Sequence, residues 1–171
     1  LFDDYQEDRL PYLSMNVLRS DKPENFCNKL EGVRVSKNDL LILWDGSNSG
    51  EIVKSIDGIL SSTMSNLKTK TDDNIKFLYF LLKCYEQDFK LNTIGMGIPH
   101  VDGNHLRNSI LTLPPFQEQQ QISKYLNYKT SKIDTLIEKT EQKIELLKEQ
   151  QTSLINTIVT KGLNPNVEMK D

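Results

Sequence analysis

At 171 residues the chain has room for one domain of ordinary size and an appendage. A mean hydropathy of -0.50, with no apolar run near the ~18–20 residues that cross a bilayer, excludes a membrane-spanning helix. A net charge of -3 excludes a protein held to nucleic acid by non-specific phosphate attraction alone, yet leaves room for sequence-specific binding inside a complex whose other subunits are basic.

The opening Leu1-Phe2-Asp3-Asp4 is acidic where a signal peptide would be basic. Cys27 and Cys84 lie far apart without CxxC spacing and read as two small buried residues in a reducing compartment. The expectation is therefore a cytoplasmic protein with no membrane association. Two Cys and two His without a cluster offer no zinc site, and neither a metal nor a cofactor is expected.

Arg9 to Arg19 begins with a short apolar run, Leu10-Pro11-Tyr12-Leu13. Val33-Arg34-Val35 precedes a turn signal, Lys37-Asn38-Asp39. Leu40-Leu41-Ile42-Leu43-Trp44 is a continuous apolar stretch, the pattern of a strand buried on both faces, with Trp44 assigned to the core. Asp45 to Gly50 is a turn-rich loop. Glu51–Ile56 and Ile59–Lys68 are predicted as paired strands joined by a hairpin at Asp57-Gly58.

From Asn74 to Lys90 the period becomes helical. Ile75, Leu78, Tyr79, Leu82, Tyr85 and Phe89 share one face, and Asp72 or Asp73 is the expected cap. A glycine-rich loop, Ile94-Gly95-Met96-Gly97-Ile98-Pro99-His100, follows, then a turn over Val101–Asn104. Ile110-Leu111-Thr112-Leu113 is predicted to close the domain as a strand. The fold class is α+β, a mixed α/β domain followed by one long C-terminal coiled-coil-forming helix.

Composition changes at Pro114-Pro115, which cannot continue a preceding helix. Seven of the eight glycines, both histidines and the only tryptophan precede it. The expected organisation is a recognition domain over 1–113, a long helix over 114–161 and a tail over 162–171. In the helix, Ile122, Leu126, Lys129, Ile133, Ile137, Thr140, Ile144, Leu147, Gln151, Leu154 and Ile158 alternate spacings of four and three. That heptad seam spans about 55 Å and requires a partner helix, in cis or in trans. Lys129, Thr140 and Gln151 weaken a simple two-stranded zipper and fit a seam of specified register. Gly162 ends the helix and Pro165 prevents its resumption.

The run Leu113-Pro114-Pro115-Phe116-Gln117-Glu118-Gln119-Gln120-Gln121-Ile122 resembles the specificity subunits of type I restriction–modification systems. The likeness continues through Tyr125-Leu126, Ile133-Asp134-Thr135-Leu136-Ile137-Glu138-Lys139, Leu147-Lys148-Glu149 and Val159-Thr160-Lys161-Gly162. Lys37-Asn38-Asp39-Leu40-Leu41-Ile42, Gly46, Gly50 and the Gly95-Met96-Gly97 loop are similar to that family's target recognition domain, with Asn38 standing where the family has glycine.

The resemblance implies a non-catalytic subunit that carries two recognition domains, each followed by a long helix. The helices pack antiparallel as a spacer between two half-sites of double-stranded DNA. Modification (methyltransferase) subunits bind along them, and the restriction subunit joins for cleavage. This chain holds half of that plan. It is then either a half-subunit that forms a homodimer through the long helix and reads a palindromic interrupted site, or a piece of a two-domain subunit, and both readings stay open.

Under that reading, backbone at Gly95 and Gly97 approaches DNA, and His100 hydrogen-bonds a base or phosphate. Ser47, Asn48 and Ser49 suit base-edge or phosphate hydrogen bonds, although turn chemistry explains them equally well. Lys54, Lys68, Lys70 and Arg107 are phosphate-clamp candidates, each also readable as a solvated surface cation. Ile122, Leu126, Ile133, Ile137, Ile144, Leu147, Leu154 and Ile158 are the helix-packing residues. His105 and Asn104 are assigned to capping a turn. No nucleophile–base set, metal-ligand spacing or phosphate loop points to catalysis, and Leu113-Pro114-Pro115-Phe116 lacks the Asn of a methyltransferase Asn-Pro-Pro-Tyr. The competing class is a coiled-coil adaptor whose first domain binds protein and no DNA.

Overall fold

A computed structural model describes residues 1–3, 6–20, 22–69 and 72–163. The chain divides into two compact units, Leu1–Lys124 and Tyr125–Asp171. The first unit contains strands β1 (Arg9–Leu13), β2 (Phe26–Asn28), β3 (Arg34–Val35), β4 (Leu40–Leu43), β5 (Ile52–Lys54), β6 (Gly58–Leu60), β7 (Met64–Leu67), β8 (Thr93–Ile94) and β9 (His100–Val101). Its helices are α1 (Met15–Ser20), α2 (Ile75–Leu91), α3 (Gly103–Asn108) and the first turns of α4 (Phe116–Lys161), which runs on as the second unit.

The strands form sheets of order β2-β1-β6-β3, β5-β4-β7 and β8-β9. Every residue of β4 is buried, because alternate side chains of a strand face opposite sides. Leu40 and Ile42 enter one core with Ile52, Phe77, Leu78, Leu82 and Phe89. Leu41 and Leu43 enter another with Leu13, Val17, Val35, Leu60 and Met64. One apolar strand thus serves two cores.

The hairpin predicted at Asp57-Gly58 does not form. β5 pairs with β4, whereas β6 pairs parallel to β1 and antiparallel to β3. Gly58 is required by a close approach instead of a turn: a Cβ there would stand 2.6 Å from Pro11 O and 2.7 Å from the Leu13 side chain. Asp57 accepts the Lys37 N–H at 3.1 Å. The predicted strand at 110–113 pairs with no strand among the described residues; Leu111 packs on the first core while Ile110 is exposed. Asn74, not Asp72 or Asp73, caps α2, its side chain accepting from Lys76 N and Phe77 N. Cys84 is exposed and Cys27 half-buried, contrary to the buried assignment, because Cys84 falls off the Leu78–Leu82 stripe.

At Asn38 the backbone has φ 72°, the left-handed region in which glycine is easiest and asparagine is tolerated. That conformation explains how Asn38 replaces the glycine expected there. Asp39 closes the turn by accepting Ser36 N at 3.0 Å.

Glu86 ties α2 to the edge strand β5. It accepts the Ile52 N–H at 3.1 Å, Lys83 Nζ at 2.5 Å and Lys90 Nζ at 2.6 Å. Burial pushes its carboxyl up, but the hydrogen bonds from Lys83, Lys90 and Ile52 together outweigh burial and hold it below its ordinary value. Its stabilising contribution is therefore full above the usual glutamate range, about pH 4.3, and is lost as pH falls through the lowered native value. Thermal unfolding from pH 7 to pH 3 checks this: the gap in Tm between the native chain and Glu86→Gln is expected to be widest near pH 7 and to close toward pH 3.

In the second unit Ile133, Ile137, Ile144, Leu147 and Leu154 remain between 49% and 58% exposed. Ile122 belongs to the first unit and packs against its core, so it does not share the open seam. The helix ends at Lys161, followed by Gly162 at φ 72°. Of the tail, only Gly162 and Leu163 fall among the described residues, and Lys70 lies outside them. Among the described residues no helix is long and apolar enough to cross a membrane.

Candidate nucleic-acid interface

The loop after β4 and the β8–β9 hairpin are joined through backbone. Gly46 N–H donates to Pro99 O and Val101 N–H donates to Trp44 O, each at 2.9 Å, and Asp45 bridges His100. The His100 Nδ1–H donates to Asp45 Oδ1 at 2.5 Å. Ser47 and Asn48 are exposed on this loop. Ser49 is only 3% exposed, so its side chain is not offered to a ligand. The burial follows from Gly50, at φ 92°, where a Cβ would stand 2.9 Å from Lys90 N: the loop lies directly on the end of α2.

Trp44 is half-buried and not a core residue proper. Its ring borders a cavity of about 450 Å³ floored by Leu82, Phe89, Leu106 and Leu111. Lys68, after β7, and Arg107, on α3, line the same cavity with Ser65, Asn66 and Ser109, and among the described residues no carboxylate lines it. Asp102 holds α3 in place by accepting Asn104 N at 2.8 Å and His105 N at 3.2 Å. Asp102 is thus the cap, and the assignment of that role to Asn104 or His105 is corrected. His105 instead donates through Nε2 to Asp88 Oδ2 at 2.6 Å.

Of the sequence-derived cations, Lys68 and Arg107 are brought together and Lys54 is not. Lys54 Nζ lies 4.0 Å over the Tyr79 ring. Burial, then repulsion from Lys76, lowers its affinity for a proton. Gly95 and Gly97, with φ 105° and 104°, lie in the predicted glycine-rich loop, which the structure makes the tip of the β8–β9 hairpin. Sequence reasoning does not single out Trp44, Asn66, Asp45 or Met96 as site residues. A tryptophan ending a buried strand, immediately before a turn-rich loop, is the available signal for the first.

The helix-entry motif also contains a buried polar residue. Gln119 is 2% exposed; its Nε2 donates to Asp73 Oδ1 at 2.8 Å and Pro114 O at 3.0 Å, and its Oε1 accepts Asn74 N at 2.9 Å. All of these residues lie in the first unit.

Residues 2–146 match the family model described as type I restriction modification DNA specificity domain. The chain is 40% identical over 166 residues to the type I restriction enzyme MjaVIII specificity subunit of Methanocaldococcus jannaschii, covering 95% of this chain and 38% of that protein. It is 25% identical over 158 residues to the type I restriction enzyme EcoBI specificity subunit of Escherichia coli, covering 91% of this chain and 33% of that one. The chain thus spans about a third of the length of these curated relatives, 38% of one and 33% of the other. Among solved structures, a chain from a type I R-M system, solved in work on its complex assembly and conformational transition, superposes with TM-score 0.73 at 17% identity, covering 90% of this chain and 39% of that chain. The HsdS subunit from Thermoanaerobacter tengcongensis superposes at TM-score 0.61 and 16% identity, over 94% of this chain and 40% of that one. At such identities the two structures bear on the fold alone, and they share its mixed α/β architecture and long helix.

Proposed function

The chain belongs to the family of type I restriction modification DNA specificity domains, and on that premise we propose that residues 1–113 read one DNA half-site and residues 114–161 act as the spacer. The reading surface comprises Ser47 and Asn48, the Gly95–His100 loop, and the cations Lys68 and Arg107. The open seam from Leu126 to Ile158 takes a second helix, supplied in a homodimer by another copy. Modification subunits bind the assembled specificity unit and the restriction subunit joins through them, so this chain directs methylation and cleavage and catalyses neither.

The observation that carries the reading is the Trp44 cavity, where Lys68 and Arg107 meet neutral hydrogen-bonding side chains and, among the described residues, no lining carboxylate. Cations there would hold phosphate, and the neighbouring polar loops would meet base edges. This local balance separates the site from the chain's net charge of -3, the feature that lent the adaptor reading its support.

The test uses the chain assembled with its cognate modification subunits. Lys68→Gln combined with Arg107→Gln is expected to weaken DNA binding on every sequence alike. The slope of log affinity against log salt should become shallower by about 2, at roughly 0.9 for each phosphate no longer neutralised. An unchanged slope would mean that these two cations touch no phosphate. A native complex without DNA affinity would favour the adaptor.

A further inference from the structure

The β8–β9 hairpin presents a surface that the fold itself does not use. Ile94, Met96 and Ile98 alternate with Gly95 and Gly97. Ile94 is 54% exposed, Ile98 62%, and Met96 stands wholly in solvent. Polar residues would serve the turn as well, and large apolar side chains in water are unfavourable for a free domain. The base of the loop is nevertheless fixed by the Gly46–Pro99 and Val101–Trp44 hydrogen bonds and by the Asp45–His100 pair. At Gly95 a Cβ would stand 2.8 Å from both Ile98 O and His100 Cδ2, so the turn is tightly closed on itself. The apolar tip is therefore carried on a preorganised base.

We propose that Met96, flanked by Ile94 and Ile98, is an apolar wedge that enters a groove of double-stranded DNA and unstacks one base step; this rests on the DNA reading above. The surroundings select the occupant. Trp44, whose backbone holds the hairpin base, also borders the cavity that Lys68 and Arg107 line with no carboxylate among the described residues. A Cβ on Gly103 would lie 3.2 Å from the Trp44 ring and 3.8 Å from an Arg107 guanidinium nitrogen, so ring, cation and hairpin base are neighbours. Three acids reach this surface in the hydrogen-bond pattern and each is engaged: Asp39 by Asn66 and the Ser36 N–H, Asp45 by His100, and Asp88 by His105. A phosphate backbone seated on the two cations brings base edges to an apolar point. Inserted methionine and isoleucine side chains kink duplexes by separating bases, and the unbranched methionine adapts to an irregular gap.

The native chain, assembled with its modification subunits, is offered a pool of random-sequence duplexes. The enriched duplex is then remade with 2-aminopurine at successive positions. Binding is expected to raise fluorescence at one step apart from the base that a methyltransferase flips, and Met96→Gln to abolish that rise and weaken binding about tenfold while leaving folding and subunit assembly intact. Enrichment without such a second rise, or a second rise that the variant keeps, overturns the wedge and leaves the DNA reading standing. A variant that no longer assembles with the modification subunits overturns it in favour of a protein contact. A native complex that enriches no duplex overturns the DNA reading and the wedge with it.

Discussion

Replacing Ile144 and Leu147 together by aspartate is expected to weaken pairing of the long helix by about a thousandfold or more. Both lie on the heptad seam and remain about half exposed, at 49% and 52%, in a unit that offers them no cover of its own. Each buried aliphatic side chain contributes roughly 1.5–3 kcal/mol, and a carboxylate in its place adds a desolvation penalty. A loss near 4 kcal/mol already corresponds to about a thousandfold in Kd. In a homodimer each substitution counts twice. Sedimentation equilibrium at micromolar concentration checks the result: the native chain is expected to be a dimer and the variant a monomer, with thermal unfolding of its first unit unchanged. A native chain that stays monomeric would contradict self-pairing.

Gln119→Ala is expected to cost about 3 kcal/mol of first-unit stability, lowering Tm by roughly 10 °C. The side chain makes three hydrogen bonds from a nearly sealed position, and one of its partners, Asn74, is the residue that caps α2. Truncation leaves the Asn74 N–H without its side-chain acceptor and removes two donated hydrogen bonds from a nearly sealed position, which is costlier than the loss of an exposed pair. Gln119→Glu keeps the acceptor but sets a second carboxylate against Asp73, so it should destabilise as well, most strongly at neutral pH. Gln120→Ala, at an exposed neighbouring position, is the control and should be nearly neutral. Thermal unfolding of the three variants separates these outcomes.

Much of the scaffold was legible because burial leaves a plain imprint on sequence. The apolar run of β4 is buried from end to end, and the helical period after Asn74 became α2. The Pro-Pro break immediately precedes α4. Pairing was less legible. Asp57-Gly58 has the composition of a hairpin turn, yet its glycine answers to the backbone of β1, remote in sequence. Local turn chemistry cannot register such a neighbour. Four glutamines crowd the stretch from Gln117 to Gln121 with only Glu118 interposed, and the repetition hid the buried one. The clue was spacing: Gln119 shares a helical face with Ile122 and Ser123, both turned inward. In the candidate interface, Lys68 and Arg107 converge because β7 and α3 meet at Trp44, a tertiary fact absent from either segment alone. Ser49 and Lys54 matched the same chemical types but were claimed by the α2 end and by the Tyr79 ring.

The reading of the first unit as half-site reader and of the helix as spacer is tested most directly by changing helix length alone. One heptad inserted between Ile133 and Ile155 preserves the seam while lengthening the helix by about 10 Å. Native and lengthened chains, each assembled with the modification subunits, are compared by sequencing the duplexes they enrich from a random pool. The expected result is the same half-site bases separated by a different gap. Altered half-site bases at an unchanged gap would contradict the division of labour between the two parts of the chain.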